Sequence, residues 1–220
     1  MAKLSQLAPA LAATLGIDER SMAHRARILR DAGLIATGGR GLGGAEMSDT
    51  DAANLLLGAL TSESILDSPD VVRAFRRLEL SGRVHPAMPD EIGAVGARPC
   101  TLGDAVETLI RAARRGTLMA MMRRVAEQSL PARASARGGE AWVNLHGGVR
   151  LEIARPEYGA IIRAATEEGV AAAIFAIPRR SIMAGEERRF RSFQVGDRKV
   201  TEAVSHRTFE ALGEILGPVE

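Results

Sequence analysis

The stretch that most restricts the fold runs from Leu15 to Ile35, LGIDERSMAHRARILRDAGLI, and is followed closely by Thr37, Gly38, Gly39, Arg40, Gly41, Leu42, Gly43 and Gly44. It sets a tight turn, a basic helix and a flexible loop in series. Ahead of it, Leu4, Leu7, Leu11 and Leu15 recur at helical spacing, which predicts an amphipathic helix ending at Gly16, with Pro9 denting it or marking its start. Asp18 then caps a second helix to about Ala32, with Met22, Ala26 and Leu29 on its inner face and Gly33 as its stop. Segments 34–37 and 45–47 are short and partly apolar and predict the two arms of a hairpin around the Gly-rich loop. Ser48-Asp49-Thr50-Asp51 matches a capping box in front of the apolar run 52–60, a third helix that closes a small unit over 1–60.

Charge matters here through its distribution. The formal net charge of +2 is too small to mark the whole chain as a nucleic-acid binder. Between positions 20 and 40, however, Arg20, Arg25, Arg27, Arg30 and Arg40 face one acid, Asp31, whereas Glu46, Asp49, Asp51, Glu63, Asp67 and Asp70 follow with no base among them. In a helix-turn-helix the second helix enters the major groove, its inner positions holding the first helix and its outer positions meeting bases and phosphates. On that pattern Glu19, Arg20, Ala23, His24 and Arg27 face the groove, with Ser21 and Arg25 near the backbone. Arginine pairs bidentately with guanine O6 and N7, and a serine or a helix N-terminus holds a phosphate. The loop gives Arg40 a mount from which to reach the minor groove or the backbone.

Leu15-Gly16-Ile17, Ser21-Met22, the run from Leu29 to Ile35 and the following glycines together resemble the winged helix-turn-helix family of DNA-binding proteins, and in particular phage- or prophage-type regulators. The resemblance covers about the first quarter of the chain. It implies double-stranded DNA as partner, Arg20, Ser21, His24, Arg25, Arg27, Arg30 and Arg40 as contact residues, and a homodimer or higher homo-oligomer that pairs half-sites. Two departures are Glu19, which repels phosphate near the helix start, and the lack of a clear helix before Leu4, a place the helix after the wing can fill.

The remaining sequence predicts a mixed fold, mainly α with a C-terminal α+β part. Aromatic residues make up only 3% of the chain, so Ala, Leu, Ile, Val and Met must build the core, which favours helix packing. The expected middle region, 61–130, is a helical linker or oligomerisation region, with helices over 71–80 and from Thr101 to about Gln128. Segment 81–99 reads as a linker because Pro86, Pro89, Pro99 and several glycines interrupt it. In the expected C-terminal unit, 140–220, segments 142–146 and 149–153 alternate around Gly147-Gly148 as a hairpin. Pro156 starts a helix to about Glu168, 170–177 is a buried strand, 190–195 alternates again, and 205–216 is a final helix.

Other motifs point to no chemistry. Gly39 to Gly44 satisfies G-x-G-x-x-G, but the fingerprint needs a preceding strand and a helix directly after it, and the Ser48 cap comes too late. His24, His85, His146 and His206 are scattered without metal-site spacing, and Glu157, Glu167 and Glu168 have no context assigning acid and base roles. Cys100 is the sole cysteine, which excludes an intrachain disulfide. The arginines from Arg111 to Arg124, and Arg179, Arg180, Arg188, Arg189 and Arg191, admit either phosphate contact or a solvated face. No stretch reaches the roughly 18 apolar residues of a membrane span. The expectation is therefore a cytoplasmic, non-enzymatic transcriptional regulator without a cofactor. Its alternatives are a phage DNA-packaging or genome-maintenance factor, and a protein-interaction or ligand-sensing module acting through the C-terminal part.

Overall fold

The computed structural model describes residues 2–38, 44–129, 148–155, 158–178 and 200–219. Helix α1 spans Leu4–Leu15 and α2 spans Glu19–Asp31. Both end in the same way. Gly16 and Gly33 adopt positive φ, 66° and 74°. Ile17 N–H then reaches back to the Ala12 carbonyl and Leu34 N–H to that of Leu29, each at 2.9 Å. These are Schellman closures, in which glycine takes the left-handed position without a Cβ clash and a following apolar residue folds back on the helix. Pro9 lies inside α1, which starts at Leu4.

Helix α3, Asp49–Thr61, begins at the expected capping box: Ser48 Oγ accepts from Asp51 N–H, and Asp51 Oδ2 accepts from both the Ser48 amide and its hydroxyl. Nearly every residue of α3 is buried, so it is a central helix and not an amphipathic surface one. Helix α4 covers Ser68–Arg76, and strand β1, Glu79–Val84, follows it. A 3-10 segment at Asp90–Gly96 leads to α5, Leu102–Arg114, which starts at a Thr101–Asp104 capping box, and then to α6, Thr117–Ser129. Gly116, at φ 69°, separates α5 from α6. Strands β2, Val149–Arg155, β3, Gly159–Thr166, β4, Gly169–Ala176, and β5, Val200–Ser205, precede the last helix, α7, His206–Leu216.

The molecule is mixed α/β, with a five-stranded antiparallel sheet in the order β1-β4-β3-β2-β5. Val149, Leu151 and Ile153 on β2, Ala160, Ile162 and Ala164 on β3, and Ala171, Ala173 and Phe175 on β4 are buried at a period of two. One continuous apolar cluster joins most of these residues to helices α1 to α7. Helix α7 crosses α5 closely at Gly213, where an added Cβ would lie 2.9 Å from the backbone of Ala113 and Arg114.

The sheet overturns two expectations. Segment 81–99 is not a linker: its first residues belong to β1, which pairs with β4 and brings the middle of the chain into the C-terminal sheet. The helix expected from Pro156 to Glu168 is β3, which pairs with β2 on one side and β4 on the other. Strand pairing on both edges outweighs the helix-forming Ala and Arg content of that segment. Segments 142–146 and 190–195 lie outside the described residues.

Candidate nucleic-acid interface

The geometry of α2 begins at its cap. Asp18 Oδ2 accepts from the Ser21 amide at 2.8 Å and from the Ser21 hydroxyl at 3.0 Å. This carboxylate satisfies an open helix N–H and sits at the positive end of the helix dipole. It also occupies the place expected for a phosphate, and engages the hydroxyl expected to hold one.

Beyond the cap, Arg20, His24 and Arg27 fall at i, i+4 and i+7 and are all exposed, so they form one stripe along the outer face of α2. Arg27 Nε stands 3.8 Å from Asp31, and Arg30 Nε is 3.7 Å from the same carboxylate. The side chain of Arg27 is 71% exposed, and a loose exposed pair of this kind contributes about 0–1 kcal/mol, so an incoming phosphate or base edge can replace it. The C-terminal end of α2 is held by Arg73 on α4, which donates to the Ala32 carbonyl at 2.8 Å.

Arg25 is not on this surface. It is 9% exposed, and its Nη1 donates to the Gly58 carbonyl at 2.6 Å, the Ser62 carbonyl at 3.1 Å and Ser68 Oγ at 2.8 Å. Its expected place at the DNA backbone is corrected by position: Arg25 follows Met22 by three residues and precedes Leu29 by four, which puts it on the core stripe. With Arg25 withdrawn, Arg20, Arg27 and Arg30 on the outside of α2 are balanced by Asp18, Glu19 and Asp31. The local positive charge is smaller than the sequence suggests.

After α2 the chain is tied to α3. Ala36 N–H donates to Asp51 Oδ1 at 2.8 Å, and the Leu34 carbonyl accepts from Asn54 Nδ2 at 2.6 Å. Segment 34–37 forms no strand. The returning segment pairs with the N-terminal residues instead: Met47 N–H donates to the Ala2 carbonyl at 2.9 Å, and Glu46 bridges Lys3 in antiparallel fashion. The two ends of the loop are close, since a Cβ on Gly38 would lie 2.7 Å from the Ala45 nitrogen. Arg40 and residues 39–43 lie outside the described residues.

The other motifs resolve simply. Arg111 and Arg114 on α5 both pair with Asp49, and Arg124 on α6 pairs with Glu91, so these bases are engaged within the fold. Burial, then Asp104, pushes the Cys100 thiol up to about 11, the opposite of an activated thiolate. Among the described residues no cluster of three or more metal-ligating side chains exists, and no helix is long and apolar enough to cross a membrane. Glu167 and Glu168 are exposed in the β3–β4 turn, while His146, Glu157 and the arginines at 179–191 lie outside the described residues.

His206, which opens α7, belongs to no motif in the sequence. It is 4% exposed, and its Nδ1 has no hydrogen-bond partner among the described residues. Burial, and then Arg207, hold its pKa below the ordinary 6.5. The native imidazole is therefore neutral where the unfolded one begins to protonate, and its stabilising contribution declines as pH falls through about 6.5. Glu210, raised by burial and by Glu214, acts in the opposite direction as pH falls toward the carboxylate range. The contribution of His206 is isolated by comparing urea midpoints of wild type and His206→Phe at pH 7.5 and 5.5. The wild-type midpoint should fall more than that of the variant; equal changes would mean that His206 does not titrate differently on folding.

Compared with protein-family models, with curated proteins and with solved structures, the chain matches none.

Proposed function

We propose that the protein is a sequence-specific double-stranded-DNA-binding transcriptional regulator of the winged helix-turn-helix kind, without catalytic activity. The observation that carries this reading is the single exposed stripe of Arg20, His24 and Arg27 on α2, the second of two helices joined by the Gly16 turn. The chain order adds support. Residues 2–3 run against the segment that returns from the Gly-rich loop, and α1, the turn and α2 lie between them in sequence. Helix α3 packs against α2 and only marginally against α1, in the place of the expected third helix. In the proposed complex α2 enters the major groove, Arg20 and Arg27 read base edges, His24 sits between them, and Arg30 meets a phosphate. Arg40 on the loop contacts the backbone or minor groove. The protein works in the cytoplasm as a homodimer or higher homo-oligomer.

The balanced charge on α2 makes a quantitative expectation. With few phosphates neutralised per protomer, binding should weaken with salt at a modest slope, on the order of −2 to −3 in log K against log salt per bound protomer for two or three contacts each, and roughly twice that for a dimer. On a DNA site selected with the purified protein, Arg20→Ala and Arg27→Ala should each weaken binding by roughly 1–3 kcal/mol and relax sequence preference. Arg30→Ala should weaken all sequences alike and reduce the magnitude of the slope by about one per bound protomer. Mobility shift across a salt series measures both effects, and binding that ignores all three substitutions would sink the proposal.

A further inference from the structure

Arg25 lies on the reading helix yet points away from its reading face. The side chain packs beside Gly58 of α3, where an added Cβ would come 2.9 Å from Leu29 Cδ1 and 3.4 Å from Arg25 Cδ, so glycine permits a close approach of α2 and α3. At that crossing Nη1 reaches the carbonyls of Gly58 and Ser62 and the hydroxyl of Ser68, which is itself fully buried. The Gly58 carbonyl is one of the last four of α3, which have no partner within the helix, and a cation at that end complements the helix dipole. None of the three acceptors is a carboxylate. Burial and the nearby Arg155 on β2 both lower the pKa of Arg25 from its ordinary value.

A buried cation with neutral partners adds little stability over a well-packed apolar side chain. What it adds is direction, because hydrogen bonds fix angle and register where apolar contact tolerates sliding. We propose that Arg25 is the positioning residue of the reading head: by fastening α2 to the C-terminal end of α3 and to Ser68 at the start of α4, it sets how Arg20, His24 and Arg27 are presented to DNA. The proposal rests on the DNA-reading function above. Arg25 itself touches no phosphate, which separates its role from those of Arg20, Arg27 and Arg30.

The test is affinity together with salt slope for full-length wild type, Arg25→Met, Arg25→Lys and Ser68→Ala. A selected duplex is the probe, and the active fraction is fixed by stoichiometric titration well below each melting temperature. Arg25→Met should bind on the order of tenfold more weakly with an unchanged salt slope. Arg25→Lys should recover part of the loss, because an ammonium offers three donors to the three acceptors that now converge on Nη1. Ser68→Ala, which keeps the charge and removes one acceptor, should show a smaller loss of the same kind. A fall in slope of about one per bound protomer in Arg25→Met would make Arg25 a phosphate contact and overturn the proposal. So would wild-type affinity in folded Arg25→Met. If Arg25→Met does not fold, Ser68→Ala decides: weaker binding at constant slope supports the proposal and unchanged binding rejects it. Wild-type protein that shows no salt-dependent binding overturns the DNA reading itself, and the positioning role with it.

Discussion

Phe75→Ala should destabilise the protein by about 3–5 kcal/mol. The ring is 2% exposed on α4, and its centroid lies 5.0 Å from that of Tyr158, with the two planes tilted by 31°. Tyr158 is also buried, at φ 46° in the turn between β2 and β3. The pair therefore joins α4, in the middle region of the chain, to the β2–β3 turn of the sheet. Truncation removes the transfer free energy of the ring, leaves a cavity that a close-packed interior fills only in part, and forfeits a ring–ring contact. Because one apolar cluster spans the helices and the sheet, helix and sheet signals should be lost in one transition, with the melting temperature lower by roughly 10 °C. Phe75→Leu, which preserves much of the volume, should lose less than half as much. Two separate transitions in circular dichroism and tyrosine or tryptophan fluorescence, or a loss below about 1 kcal/mol, would show that this contact does not unite the two parts.

That union is the part of the fold hardest to read in the sequence. Elements whose ends carry local chemistry are legible: Gly16 and Gly33 close α1 and α2, and Ser48 and Thr101 open α3 and α5. Strands β2 and β4 are legible as well, because their apolar residues are patterned in the sequence itself. Strands β1 and β3 carry no such local mark. In β1 only Leu80 is buried, and the pairing with β4 shifts register between Leu80 and Gly82, so no alternation is visible. In β3 the buried residues Ala160, Ile162 and Ala164 do alternate, but Ala and Arg suit a helix equally well, and only the neighbouring strands decide the matter.

The candidate site divides in the same way. Spacing from Met22 and Leu29 identifies the outer stripe of α2, and the same spacing places Arg25 inside, a signal that its charge obscured. Its acceptors come from α3, the segment after it and α4, more than 30 residues away, and periodicity within α2 carries no information about them.

Asp49→Ala should cost about 3 kcal/mol, toward the low end of what breaking a buried ion pair costs. Asp49 is the first residue of α3 and its side chain is 13% exposed. Its two carboxylate oxygens take Arg111 Nε at 3.2 Å and Arg114 Nη1 at 2.7 Å. The Arg114 side chain is 10% exposed and also donates to the Gly217 carbonyl at 2.7 Å, so Asp49 holds the start of α3, the end of α5 and the chain after α7 at one point. Without it Arg114 keeps its carbonyl partners but is a largely buried cation with no other carboxylate paired to it among the described residues, while Arg111, 42% exposed, turns to water at little expense. That asymmetry is why the loss should fall at the low end of the range. Asp49→Asn, which retains an acceptor and loses the charge, should lie between wild type and Asp49→Ala. A second substitution, Arg114→Met, should restore part of the stability of Asp49→Ala by removing the stranded cation, and the shortfall from additivity measures the coupling. Urea denaturation of the wild type, the two single variants and the double variant checks this, and strictly additive losses would show that the two side chains act independently.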